Sequence, residues 1–409
     1  MSQTKPFNIP KALVYEAYKR VKANRGSAGV DGESLAAFDA NLSKNLYKLW
    51  NRLSSGSYMP PPVKRVDIEK ANGGIRPLGI PTVSDRIAQM VVKLQIEPLL
   101  DPIFHPDSYG YRPSKSAHQA LIKAKQRCDG RAWVLDMDIK GFFDSIDRQL
   151  LLKAVDKHIK EPWQRLYIER WLTAPVQLTN GELEYPQRGT PQGGVISSLL
   201  ANLFLHYVFD VWVERHWGGI QFERYADDIV CHCASEREAL QLLKRLQERF
   251  SACGLTLHPD KTKVVYCKGG YNRQHYPTVT FDFLGYTFRP RYIKTRSGKM
   301  GLYFLAAISQ KSAKTIRVEI NSWPWLRWCQ KELEDIRAYS LRRLRGWFNY
   351  YGVFGKSIIR NVLFHFDKRL SRWAKKKYKK LKTIMQAARR VNSARKQSAW
   401  GFPHWQKGL

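Results

Sequence analysis

Acidic side chains are scarce in this chain. Its 409 residues hold 35 Asp and Glu against 69 Lys and Arg, a formal net charge of +34. Such an imbalance implies a polyanionic partner, nucleic acid ahead of an acidic membrane surface. Long apolar runs are missing too. No stretch of about 20 apolar residues exists, so no transmembrane helix is expected, and Met1 to Pro10 carry no apolar core of signal-peptide type, so a cytoplasmic location is expected. The six cysteines (Cys128, Cys231, Cys233, Cys253, Cys267, Cys329) show no Cys-x-x-Cys spacing. That argues against a zinc ribbon or a disulfide framework and for reduced core thiols. Internal repeats and low-complexity blocks are also lacking. Apolar residues are not: they make up 44% of the chain, which excludes a disordered polycation. The length suggests two or three domains.

The charge is uneven. From Lys331 to Leu409 there are 21 Lys and Arg but 4 Asp and Glu, a net of +17, and seven of the 13 Trp lie from Trp323 onward. Cations interleaved with aromatics suit a phosphate backbone with exposed bases. The competing expectation is a solvated basic helix face around a Trp-rich core.

Apolar spacing and turn residues predict helices over 11–23, 34–53, 83–100, 148–173 and 236–253, and a long apolar helix opened by Thr190-Pro191 and running to about Val213. Strands are expected at 132–138, at 222–233 as a hairpin turning at Asp227-Asp228, and near 255–257, 263–267 and 279–288. Asn72-Gly73-Gly74 is a hairpin-turn signal. Ser235 with Glu238 has capping-box spacing. From about Ala313 the chain reads as helical and basic. Strands with helices on one side, then a helical end, give an α+β fold followed by an α-helical domain.

Two adjacent carboxylates at a strand tip repel each other unless a cation screens them. Alone, Asp227-Asp228 is an ordinary turn. Its context is a second strand ending in Asp138 and a Gly-rich segment, Thr190-Pro191-Gln192-Gly193-Gly194. Strand alternation places Asp136 on the same face as Asp138, and spacing alone does not separate the two. Nucleotidyl transfer requires hard oxygen ligands for two Mg²⁺ ions roughly 3.5–4 Å apart, donors for a triphosphate, and a basic track for the template. Candidates for all three are present.

On these residues the sequence resembles the reverse transcriptases encoded by group II introns, of bacterial type. Arg25–Pro62 is similar to the family's N-terminal extension. Lys64–Thr82 and Tyr109-Gly110-Tyr111-Arg112-Pro113 are similar to its fingers motifs. Asp136–Asp147, Arg188–Asn202, the box Tyr225-Ala226-Asp227-Asp228, Asp260–Lys263 and Phe283–Gly285 are similar to its palm motifs. Leu344–Gly352 resembles its maturase, or thumb, domain. The resemblance implies a right-hand polymerase with an N-terminal extension (1–62), fingers (63–130, with part of 150–187), a palm (131–292), a helical thumb or maturase domain (300–385) and a basic tail (386–409).

It further implies that Asp138, Asp227 and Asp228 are catalytic and hold two Mg²⁺ ions, replaceable by Mn²⁺, with Ile139 beside Asp138 among the metal-contacting residues. The family pattern favours Asp138 over Asp136, because Phe143 then falls five residues later, as a gate against a 2′-OH. Lys70, Arg76, Gln192, Lys261 and Lys263 are implied for the nucleotide. Arg112, Gly193, Gly194, Arg345, Arg372, Lys375, Lys376, Lys377, Lys379 and Lys380 are implied for nucleic acid. Ser197-Ser198 departs from the family's Ser-Pro and removes no catalytic group. No endonuclease with paired cysteines is expected, and His404-Trp405 is expected to pack.

The implied activity is RNA-directed DNA polymerisation with dNTPs. The implied partners are RNA template and primer, an RNA–DNA duplex, group II intron RNA and target DNA, acting as a monomer or homodimer and away from membranes. Alternatives are a domesticated relative serving phage defence, spacer acquisition or repair, a splicing cofactor with a dead palm, and an RNA-copying RNA polymerase. The complete Asp set argues against the second and Phe143 against the third.

Overall fold

The computed structural model describes residues 5–69, 74–267, 276–294, 298–397 and 401–405. In chain order these form α1 (Lys11–Asn24), α2 (Leu35–Ala40), α3 (Leu42–Ser54), β1 (Val63–Glu69), β2 (Ile75–Ile80), α4 (Val83–Leu100), α5 (Ala117–Gly130), β3 (Trp133–Met137), α6 (Phe142–Ser145), α7 (Arg148–His158) and α8 (Pro162–Thr173). Next come β4 (Val176–Gln177), β5 (Leu183–Glu184), α9 (Ser197–Leu205), a π-helical turn (His206–Asp210), α10 (Val211–His216), β6 (Gln221–Tyr225), β7 (Asp228–Cys233) and α11 (Glu236–Ala252). The rest is β8 (Lys263–Tyr266), β9 (Phe281–Phe283), β10 (Tyr286–Lys294), β11 (Met300–Ile308), α12 (Gln310–Ser322), α13 (Leu333–Lys377) and α14 (Ile384–Gln397). Two compact units result, one of Met1–Ala120, Met137–Cys231 and Leu240–Thr262, the other of Leu121–Asp136, His232–Ala239 and Lys263–Leu409.

In the first unit α4 is the central helix. Thr82 caps it by accepting the Asp85 amide at 3.2 Å, and a continuous run from Asp85 to Val92 is buried. A helix covered on every side has neighbours all round, here α1, α3 and α9. Val14, Ala17, Tyr18 and Val21 form the buried stripe of α1. A four-stranded sheet runs in the order β2-β1-β4-β5, with β1 antiparallel to β2 and parallel to β4.

The expected helix over 148–173 is two helices, α7 and α8. Pro162 starts the second, and Glu161 before it is extended at φ −75, ψ 119, the conformation a residue preceding proline prefers. The helix expected to open at Thr190-Pro191 starts instead at Ser197. Gly193 has φ +114, which no helix accommodates. Residues 255–257 supply only an isolated bridge, Leu257 to Ile139.

In the second unit β3 pairs antiparallel with β8, Asp136 opposite Lys263. Trp133, Val134, Leu135 and Met137 of β3 are all buried, so both its faces are covered. The sheet β11-β10-β9 contains a nine-pair ladder from Tyr286↔Ile308 to Lys294↔Met300, longer than the sequence suggested. Leu284 and Gly285 have φ 49 and 80. Positive φ at both turn residues is the requirement of the tightest hairpin, which explains the glycine. Tyr286 then lies 5.8 and 5.5 Å from the rings of Tyr350 and Tyr351, and Tyr350 Oη donates to the Leu284 carbonyl at 2.9 Å. Thus the Phe-Leu-Gly and Asn-Tyr-Tyr-Gly motifs form one packed joint.

The helical end closes a core of Trp323, Trp325, Ile336, Leu344, Phe366, Trp373, Phe402 and Trp405. Trp328 and Trp347 pack against it, and Trp400 lies outside the described residues. These indoles face inward, and Arg343, Arg369 and Lys377 lie over the rings of Trp323, Trp325 and Trp373 at 5.4–5.9 Å. His404 and Trp405 pack as expected, both donating to the buried Asp367 carboxylate at 3.0 and 2.8 Å. Five of the six cysteines are buried and all are free thiols. Among the described residues no helix is long and apolar enough to cross a membrane.

Candidate active site

The site forms in the first unit. Strands β6 and β7 turn at Ala226-Asp227, with Ala226 at φ 58, so Asp227 and Asp228 emerge at the turn. Asp138 follows β3 directly. Its carbonyl accepts the His258 amide at 2.8 Å, and the Lys140 amide donates to Thr256 O at 2.9 Å. These bonds on either side of Ile139 fix the Asp138 backbone. Of the two candidates, Asp138 is one whose charge acts on the pair. Burial and the Asp138 charge push the Asp227 carboxyl above its usual range. Desolvation in the cleft, then Asp227 and Asp138, push Asp228 to about 7, although its side chain reaches the surface. Lys261 and Arg76 pull both down.

Asp138 and Asp227 act electrostatically on their neighbours in a partly dry setting, and carboxylate oxygens are the hard donors a divalent cation takes. Asp138 is paired with Lys261, whose Nζ lies 2.5 Å from its Oδ2. Among the described residues no three carboxylate, imidazole or thiol groups are converged into a coordination shell. The donor chemistry fits a divalent ion, and the ammonium supplies the counter-charge.

The Gly-rich loop is tied to the segment that follows Asp138 and to β2. Phe142 is buried, its neighbour Phe143 is half-buried, and their rings meet edge to face at 5.4 Å. The Phe143 carbonyl accepts the Thr190 amide at 2.9 Å. Two residues on, the Gln192 carbonyl accepts the Gly79 amide of β2 at 2.6 Å. A Cβ on Gly193 would lie 2.4 Å from the Gly79 carbonyl oxygen. Glycine is therefore required there twice over, by φ and by contact. A cavity of about 490 Å³ opens beside this loop, lined by Arg65, Leu78, Asp144, Arg148, Arg188 and Gln192 among others. Arg76 stands on β2, within electrostatic reach of Asp227 and Asp228. Lys70 lies outside the described residues.

Other expected residues are placed differently. Arg112, read as a nucleic-acid contact, is consumed inside the protein. Its guanidinium donates to Asp101 Oδ1 at 2.7 Å and to the carbonyls of Asp101, His105 and Ser108 at 2.8–2.9 Å. It shapes the loop leading to Tyr111. In the second unit, Lys377 donates to Lys331 O at 2.7 Å and Glu332 Oε1 at 2.6 Å, so its charge is spent on the start of its own helix. Arg372, Lys375, Lys376, Lys379 and Lys380 are exposed. Arg345 lines a groove of about 360 Å³ with Phe348, Asn349 and Lys356. Lys263 is exposed on β8.

Sequence reading missed Tyr111. Its ring lies 6.4 Å from Tyr225, and burial followed by the Asp227 charge raises its hydroxyl pKa. The signal was its place in the Tyr-Gly-Tyr-Arg-Pro stretch, read there for Arg112.

The family model for reverse transcriptase (RNA-dependent DNA polymerase) matches residues 68–288, and that for the group II intron maturase-specific domain matches 313–391. The chain thus belongs to the reverse transcriptases, enzymes that transfer nucleotidyl groups and use divalent metal ions, and it carries the maturase-specific domain of group II intron proteins. Protein YkfC of Escherichia coli (strain K12) is 30% identical over 351 residues, 76% of this chain and 88% of that one. The group II intron-encoded protein LtrA of Lactococcus lactis subsp. cremoris is 37% identical over 195 residues, 47% of this chain and 32% of LtrA. The chain therefore spans most of the first relative and about a third of the second. Among solved structures, the telomerase from Candida albicans in complex with a TWJ fragment of telomeric RNA has a TM-score of 0.47 at 12% identity, covering 89% of this chain and 66% of that one.

Proposed function

We propose that this chain copies RNA into DNA from dNTPs at Asp138, Asp227 and Asp228, and binds group II intron RNA through its helical end, in the bacterial cytoplasm. The observation that carries the reading is that Asp138, Asp227 and Asp228 lie within one another's field together with Arg76 and with Lys261, which pairs with Asp138 at 2.5 Å. In the reaction the primer 3′-oxygen attacks the α-phosphorus of a dNTP, a phosphodiester bond forms, and pyrophosphate leaves with the broken bond's electrons. Asp138, Asp227 and Asp228 would hold Mg²⁺, which would neutralise charge and lower the pKa of the attacking hydroxyl. Arg76 and the loop amides near Gln192 bind the triphosphate, and charge-assisted donors suit that task. Phe143 lies under the sugar and excludes a 2′-hydroxyl. Lys261 neutralises Asp138 until substrate arrives and stays near the leaving pyrophosphate. The maturase-specific segment, with Arg345 and the exposed cations of 372–380, holds intron RNA for splicing and for mobility into target DNA.

Primer extension on an RNA template with dNTPs and Mg²⁺ tests the polymerase reading. Wild type yields full-length DNA and Asp227→Ala yields none. Absence of product from the wild type, with template bound, refutes it.

A further inference from the structure

Beneath the Tyr225–Asp228 turn lies a wholly buried ion pair. Arg224 and Asp210 are both 0% exposed. Arg224 Nε meets Asp210 Oδ1 at 2.7 Å and Nη2 meets Oδ2 at 2.6 Å, a two-pronged fork. Its remaining nitrogen, Nη1, donates to Asn202 Oδ1 at 3.0 Å and to the Ala226 carbonyl at 3.2 Å. Asn202, 1% exposed, uses its other end to donate to the Gly110 carbonyl at 2.7 Å. Backbone bonds run alongside: the Tyr109 amide donates to Arg224 O at 2.8 Å, and the Arg224 amide to Asp107 O at 3.0 Å. A Cβ on Gly110 would lie 2.4 Å from the Ala226 nitrogen. Two separate segments, 107–111 and 224–228, thus touch backbone to backbone and share one hub.

Stability alone is a poor reason for this arrangement. A buried ion pair gives back little more than its desolvation cost, and an apolar replacement is often as stable. Two further features point to positioning. Ala226 holds a left-handed φ that an L-residue keeps only when its surroundings over-determine it, and Arg224 binds that residue's carbonyl. Asp210 closes a π-helical turn, a rare distortion that is frequent at functional sites. The carbonyls of Tyr207 and Val208 in that turn are taken up by Arg249 at 3.2 Å each. The helix is thus distorted in the turn whose last residue faces Arg224.

We propose that Arg224, Asp210 and Asn202 are positioning residues that hold the loop bearing Tyr111 and the turn bearing Asp227 and Asp228 in one register, so that both reach the reacting groups together. Arg224 cannot be replaced by lysine here, because an ammonium lacks the planar fork. Misplacement by about 1 Å costs on the order of 10²-fold in rate. The inference extends the polymerase reading, and one of its two tests is independent of activity.

Arg224→Lys, which keeps the charge, and Asn202→Ala, which removes the bridge alone, are compared with wild type. Hydrogen exchange is the first measurement. Both variants accelerate exchange in 107–112 and in 224–228 together, by tenfold or more, with α4 still protected. Acceleration confined to the mutated segment, none at all, or general loss of protection overturns the proposal. Primer extension at saturating template is the second. Each variant loses at least tenfold in kcat, dNTP KM stays within about threefold, and the double variant is no worse than the poorer single one. Wild-type kcat in a variant with accelerated exchange overturns it, as does loss that tracks only the melting temperature. An inactive wild type would refute the polymerase reading and leave the exchange result to decide this one.

Discussion

Replacing Asp85 probes how the first unit holds its Gly-rich loop. Asp85 is 1% exposed. Its Oδ1 accepts Tyr58 Oη and Trp171 Nε1, each at 2.7 Å, and its Oδ2 accepts Gln89 Nε2 at 2.9 Å. Gln89 Oε1 in turn accepts the Ile196 amide at 3.3 Å, just past Gly194. Asp85→Ala leaves three buried donors unpaired at about 1–3 kcal/mol each, offset in part by the carboxylate's own desolvation. The expected loss is about 3–5 kcal/mol, or roughly 6–20 °C in melting temperature. Asp85→Asn behaves differently. Its oxygen keeps Tyr58 and Trp171, but its NH₂ faces the Gln89 amide nitrogen and forces that amide to flip. The cost is about 1–2 kcal/mol, and the Ile196 amide loses its acceptor. Burial, the largest influence, raises the Asp85 pKa in the folded state, against the three donors. A raised carboxyl binds its proton more tightly when folded, so wild-type stability falls as pH climbs from about 4 through the folded pKa, and Asp85→Asn removes that slope. Urea unfolding followed by Trp fluorescence at several pH values measures all three quantities. A loss below about 1 kcal/mol for Asp85→Ala, or equal losses for the two variants, would refute the reasoning.

Phe143→Ala should raise rNTP incorporation relative to dNTP in primer extension, and an unchanged ratio removes Phe143 as the gate. Gly193→Ala should destabilise by about 2–3 kcal/mol, from φ and from the clash at Gly79, and lower kcat; calorimetry showing no change would mean that loop and β2 part without cost. Changing Arg372, Lys375, Lys376, Lys379 and Lys380 to Gln should weaken RNA binding and flatten its salt dependence by up to about 0.7–0.9 log unit for each phosphate no longer neutralised. Lys377→Gln, whose ammonium is paired with Glu332, should lower the melting temperature and leave the salt slope alone; the reverse pattern in filter binding would place the RNA elsewhere.

Local signals carried the elements that stand on their own. The bounds of α4 were readable from Ser84 and Asp85 before it and Asp101-Pro102 after it, although the residue that caps it is Thr82. The hairpin at Asp227-Asp228 was readable from period-two apolar residues around a polar pair. Signals that needed three dimensions were not. Arg112 and Lys377 look like free cations in the sequence, and only the fold shows what they hold. Trp323, Trp325 and Trp373 look like base-stacking aromatics until the helices bury them. Arg224, Asp210 and Asn202 lie 8 to 22 residues apart with no motif spacing, so a buried network among them is invisible before folding. Thr190-Pro191 was misread for a physical reason: proline suits a first helical turn, but the glycines after it serve a loop.

Phe402 and Trp405 sit in the same core as Trp325 and Phe366, and Asp367 takes its two donors from His404 and Trp405. The ribosome makes those closing residues after every other part of that core. Until they leave the exit tunnel, Phe366 and its neighbours lack their cover and Asp367 lacks its partners. The second unit therefore completes that core only after residues 402–405 are made, and until then Phe366 and Asp367 wait on side chains that come more than thirty positions later in the chain.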